Sequence, residues 1–189
     1  MYQNKTIKKT AALTSAALLL ACLLACKGKD AACTQPIRSE VYRIYDRRFP
    51  VEITFDIDSS LVSDPDISDL LYGCDAIRYR DSLRSLSMQF IGGMSDGRQP
   101  DTAKFLEYSR KDAKVLFPEY RIETSKWITT SYGNGAYVSL SHGKILYQQL
   151  DLVMQHEKFG IKIIMRDSSD FLCKQEVFMK TIQSVRINK

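Results

Sequence analysis

Histidine is scarce in this chain: His142 and His156 are the only two in 189 residues. Neither has a second histidine or a cysteine at ligand spacing, so the sequence offers no imidazole metal site and calls for no metal or other cofactor. His142 lies in Ser139-Leu140-Ser141-His142-Gly143, which lacks the Gly-x-Ser-x-Gly order of a nucleophile elbow. Gly92-Gly93-Met94-Ser95-Asp96-Gly97 is glycine-rich but has no lysine to cradle a phosphate. The acids Asp56, Asp58, Asp64, Asp66 and Asp69 could gather oxygens, but a calcium loop counted from Asp56 puts Leu61 and Ile67 where glycine and glutamate are required. No internal repeat and no low-complexity segment is present. With 44% hydrophobic and 26% charged residues, the composition excludes a disordered chain, a collagen-like repeat and a multi-span membrane protein.

What is present is an unusual leader. Residues 1–25 hold Lys5, Lys8 and Lys9, no acidic residue, and a run of apolar and small residues from Ala11 to Ala25. A spanning helix needs about 20 apolar residues, and this run stops at Lys27-Gly28-Lys29-Asp30. A basic start, a short apolar stretch and small residues before a cut are the three parts of a secretory signal. Removing its three lysines leaves 24 basic against 22 acidic residues, a net of +2, which argues against nucleic acid as a partner. The remaining 164 residues suffice for one domain with a core.

Leu23-Leu24-Ala25-Cys26 resembles the bacterial lipobox, in which a small residue precedes a cysteine that becomes the first residue of the mature chain. That resemblance implies cleavage between Ala25 and Cys26 and a diacylglycerol on the Cys26 thiol. Cys22 also lies in the apolar run, but Cys26 has the better preceding residues. At about 0.8 kcal/mol per buried methylene, two or three acyl chains hold a protein at a membrane where one does not. Residues 26–39 read as a tether without hydrophobic period. The expected location is the bacterial cell envelope, lipid-anchored to the outer membrane and facing the periplasm. Surface exposure stays open, since of the acidic run that marks surface lipoproteins in some lineages only Asp30 is present.

Cys33, Cys74 and Cys173 remain, an odd number in no zinc pattern. Cys74 and Cys173 fall in the folded region, either as a disulfide or as two buried thiols.

Residues 40–189 read as one domain. Val41 to Tyr45 and Val51 to Ile57 alternate like half-buried strands, and Asp64 to Leu71 leads into a short helical turn stopped by Gly73. Ala76 to Arg80 and Leu83 to Ile91 are two more strands. Asp101 caps a helix whose Phe105, Leu106, Ser109, Ala113 and Leu116 share a face, and Pro118 ends it near Phe117. Arg121 to Tyr132 and Ala136 to Ser141 form a hairpin closed at Gly133-Asn134-Gly135. Lys144 to Met154 and Gly160 to Met165 continue the meander around His156 to Phe159. A last helix follows the capping cluster Asp167 to Asp170, with Phe171, Lys174, Phe178, Ile182 and Val185 at helical spacing before an extended Val185 to Asn188. The fold class is α+β, an antiparallel sheet of about six to eight strands with helices packed on it.

The extended opening, the helix from Asp101 to Phe117, the meander carrying Tyr137 and Tyr147, and the closing Phe178-Met179-Lys180-Thr181-Ile182-Gln183-Ser184-Val185-Arg186-Ile187 resemble the PsbP-like sandwich of envelope and gliding-motility lipoproteins. The resemblance implies a non-catalytic binding or assembly factor whose partner is an envelope or secretion-complex protein. Two alternatives stand beside it: an immunity lipoprotein that neutralises a toxin delivered to the periplasm, and a small-ligand carrier or hydrolase. Trp127, Tyr132, Tyr137 and Tyr147 are the candidate interface aromatics, if they are not core. Arg78 and Arg80, with Arg43, Arg47 and Arg48, form either a basic patch or a face neutralised by Asp46, Asp75 and Asp81.

Overall fold

The alternating segments become strands. The computed structural model describes residues 35–44, 51–66, 76–92, 100–154, 159–170 and 172–188. Among these the chain runs β1 (Ile37–Ile44), β2 (Val51–Asp58), β3 (Val62–Ser63), β4 (Ala76–Arg80), β5 (Arg84–Gly92), α1 (Thr102–Leu116), β6 (Arg121–Thr129), β7 (Gly133–His142), β8 (Ile145–Met154), β9 (Phe159–Asp167), α2 (Lys174–Ser184) and β10 (Arg186–Asn188). The fold is α+β. Seven strands make one sheet in the order β3-β4-β5-β9-β8-β7-β6, and three make a second in the order β1-β2-β10. The pairings are antiparallel throughout. The strand number expected for one sheet is met by the larger; the smaller is an addition that periodicity did not announce.

The period of two decides the layers. Leu86, Met88 and Phe90 of β5, and Ile161, Ile163 and Met165 of β9, turn to the main core, where Ile53, Phe55 and Ile57 of β2 and Phe178 and Ile182 of α2 meet them. Each such side chain contributes about 1.5–3 kcal/mol by leaving water. On the opposite face of the larger sheet, Ala113 of α1 packs with Val138, Leu140 and Tyr147 in a smaller core. The cap of α1 is the expected one: the Asp101 carboxylate accepts from the Ala103 and Lys104 amides, both at 3.1 Å. Its C-terminal end is tied down by Lys114, whose Nζ donates to the Pro118 and Tyr120 carbonyls at 2.6 Å.

Four local expectations are corrected. Residues 37–39 belong to β1 and not to a tether, and the folded unit begins at Gln35. The edge strand hides its pattern because Ile37 is 67% exposed while polar Arg38 reaches the Ser59 and Leu61 carbonyls at 2.7 and 2.6 Å. Gly133-Asn134-Gly135 is not a turn but the start of β7, and the chain reverses at Thr130 to Tyr132. The Thr130 hydroxyl accepts from the Tyr132 and Gly133 amides at 3.3 and 3.2 Å, which makes the reversal without glycine. Both glycines are needed for closeness instead, since a Cβ on Gly133 or Gly135 would collide with the carbonyls of Val153 or Asp151 on β8.

The acidic and serine cluster before α2 does not cap it. Asp167 accepts from the amide and hydroxyl of Ser169 at 2.8 and 2.6 Å, and the helix starts later, with Cys173 at its N-cap and no side-chain cap bond. Phe159 is a core residue of β9, not part of a turn. The lipobox with Cys26, Cys33, Cys74, the short helical turn after Asp66, Gly93 to Gly97, His156, Arg47 and Arg48 lie outside the described residues.

Candidate functional site

On the face of the larger sheet that carries α1, the helix stands over β6 and β7 and leaves β4, β5 and β9 uncovered. A cleft of about 630 Å³ opens there. Its floor follows from strand parity, because Ser85, Ser87 and Gln89 alternate with the core residues of β5, and Lys162, Ile164 and Arg166 with those of β9. Register sets them in rows across the strands. Arg80, Ser85, Arg166 and Tyr147 form one row; Arg78, Ser87, Ile164 and Gln149 form the next; Ala76, Gln89, Lys162 and Asp151 form the third.

The third row is the deep end. Lys162 is 3% exposed and its Nζ lies 2.5 Å from Asp112 Oδ2 of α1 and 3.6 Å from Asp151 Oδ1. Gln149 Nε2 donates to Asp112 and Asp151 at 2.9 and 2.8 Å, and its Oε1 accepts from the Tyr147 hydroxyl at 2.7 Å. Burial pushes the Asp151 carboxyl above the usual range despite the opposing pull of Lys162. Burial alone would lower Lys162, but Asp151 and Asp112 outweigh it and hold its ammonium charged. Two carboxylates thus share one cation, and this end of the cleft favours positive charge.

The first row is the opposite end. Arg78 and Arg80 share the buried Asp64 carboxylate at 2.9 and 3.0 Å, the second remaining 58% exposed. Arg84 is spent on structure: its guanidinium donates to Asp58 at 2.5 Å and Asp81 at 2.8 Å, tying the two sheets. Burial would raise Asp58, but the Ser60 amide and Arg84 outweigh it and depress its pKa. Arg166 is exposed and makes no hydrogen bond or ion pair among the described residues. The apolar wall is Leu83, Leu116 and Phe117, with the Phe117 ring 4.3 Å from that of Tyr147.

The expected interface aromatics do not form a surface. Tyr137 and Tyr147 are at most 1% exposed and belong to the cores, so neither reaches a partner; the alternation that suggested an edge points both rings inward. Trp127 is half-buried edge-on to Phe105, their rings 5.9 Å apart, and Tyr132 packs against the main core. His142 stacks on Tyr120 at 5.3 Å, outside the cleft lining, and Ser141 is bonded to Glu123. The acids Asp58 and Asp64 serve as arginine acceptors, and among the described residues no group of His, Cys, Asp or Glu is placed to hold a metal ion. Cys173 is disulfide-bonded, with its partner outside the described residues. Sequence reasoning named Arg78 and Arg80 but missed Lys162, Asp112, Asp151, Arg166 and the polar strip of β5. The available signal was a lysine set between Ile161 and Ile163 and three polar residues alternating with Leu86, Met88 and Phe90.

No protein-family model and no curated protein matches the chain. Among solved structures it is similar to the Saccharomyces cerevisiae Ran-binding protein Mog1p, with 9% identity over 80% of this chain and 96% of that one and a TM-score of 0.49. A mutant of protein Mog1 gives 10% identity, 79% and 95% coverage and the same TM-score of 0.49. Likenesses of that size leave the question of what the chain binds to its own residues.

Proposed function

We propose that the chain is an exported lipoprotein, anchored in the bacterial envelope through Cys26, whose PsbP-like domain is a non-catalytic binding or assembly factor. The observation that carries the reading is the cleft. Its ionisable groups at the deep end are locked to one another, while its floor and rim present polar groups without partners, an arrangement suited to holding a ligand or partner group. The disulfide at Cys173 supports the exported half, because such bonds persist in oxidising compartments. Anchoring confines the domain to two dimensions and raises its effective concentration toward a membrane partner.

Metabolic labelling with an alkyne palmitate, followed by membrane fractionation, tests the anchor. The expected result is label and membrane retention in the wild type and loss of both in Cys26→Ala. Equal label in Cys26→Ala would overturn the reading.

A further inference from the structure

This inference rests on the reading of the cleft as a binding site and names what it binds. The Arg80–Ser85–Arg166 row spans three adjacent strands, so two arginines flank one serine in register at about 5 Å per strand step, the Arg80 guanidinium pairing with Asp64 at 3.0 Å. Arg166 is uncommitted, and the Ser85 and Ser87 hydroxyls enter no hydrogen bond among the described residues. The second, independent observation is Gln89. It is 2% exposed, lines the cleft, and its Oε1 has no hydrogen-bond partner. A buried amide left open costs about 1–3 kcal/mol, a cost that a ligand polar group would remove.

Polarity orients the occupant. The deep end, where Asp112 and Asp151 share Lys162, repels an anion, whereas four residues along β9 Arg166 attracts one. At the arginine end, and beyond it, stand exposed apolar side chains: Leu83 and Leu116, 50% and 49% exposed, flank the cleft together with Phe117, whose ring packs on Tyr147 of the arginine row. We propose that the cleft binds an amphiphile with one oxyanion head, a phosphate or carboxylate held between Arg80 and Arg166 over Ser85, and an apolar body laid on Leu83, Leu116 and Phe117. Gln89, four residues along β5 from Ser85, then accepts from a separate polar arm of the ligand, such as a hydroxyl or amide, that runs from the head past Ser87. A cleft of about 630 Å³ has the volume of a small-molecule site.

The test is calorimetric titration of the mature lipoprotein in phospholipid nanodiscs, with empty nanodiscs subtracted, using octyl phosphate, inorganic phosphate and octylammonium as probes. Saturable binding of octyl phosphate is expected, at least tenfold tighter than inorganic phosphate, with none for octylammonium. Arg166→Gln should weaken it at least tenfold, and Ser85→Asp, which sets a carboxylate between the two arginines at a half-buried position, should abolish it. Arg110→Gln, on α1 away from the cleft, should bind like the wild type. Inorganic phosphate binding as tightly as octyl phosphate overturns the amphiphile; octylammonium binding equally well overturns the anion. If no octyl phosphate binds but Arg166→Gln abolishes crosslinking to an envelope protein, the ligand class fails while the binding role stands. If Arg166→Gln changes neither, both fail.

Discussion

Lys162 of β9 reaches Asp112 of α1 at 2.5 Å, so one buried ammonium fastens the helix to the sheet and walls off the deep end of the cleft. Lys162→Met leaves Asp112 and Asp151 facing each other without a cation. Breaking a buried pair in this way costs about 3–5 kcal/mol. Urea denaturation should show that loss, and adding Asp151→Asn should recover part of it. A Lys162→Met protein as stable as the wild type would remove the ion cluster from the account.

Asp151 carries a pH dependence of definite sign. Its folded pKa stands above the ordinary carboxyl value of 3.8, so its contribution to stability is fully present below the unfolded pKa and is lost as pH rises through the folded one. Ionising this side chain is therefore a burden on the fold. Asp151→Asn should raise Tm at pH 7, and the gain should shrink toward zero as pH falls below 4. A variant destabilised equally at every pH would contradict this.

Asp58 behaves oppositely, since its folded pKa lies below 3.8. Its stabilisation is present above the unfolded pKa and is lost as pH falls through the folded one. Asp58→Asn should cost about 2 kcal/mol at pH 7 and progressively less as pH falls below 3.8. Thermal melts across that range give the comparison.

Three glycines separate two causes of strain. Gly133→Ala and Gly135→Ala drive a methyl group into the backbone of β8 and should each cost about 1–3 kcal/mol. Gly143 has φ of +58° and open space around it, so Gly143→Ala should cost about 1 kcal/mol through the left-handed backbone alone. Equal losses at all three positions would show that the approach of β7 to β8 is looser than described.

The elements were legible wherever one face alone is buried. Val51 to Asp58 and the capped helix after Asp101 are read directly from period and cap. Pairing was not, because β2 joins its sequence neighbour β1 on one side and, on the other, β10 across more than 100 residues, with Ile53 opposite Ile187. The glycines of β7 misled for a physical reason: the same lack of a side chain serves a tight turn and a close strand approach. The cleft was hidden because its polar strip on β5 looks like an ordinary solvated strand face. Only the position of α1, over β6 and β7, turns that face into a site.

The most direct measurement is crosslinking in intact cells, with recovery of the lipidated protein and mass spectrometry of what accompanies it, for the wild type, Cys26→Ala and Arg166→Gln in parallel. The account predicts a recurrent envelope or secretion-complex partner on the wild type, lost when the anchor is removed and lost or sharply reduced when the cleft loses Arg166. A small secreted toxin in its place would move the assignment to immunity. The same partner recovered undiminished from both variants would contradict a tethered domain that binds through this cleft.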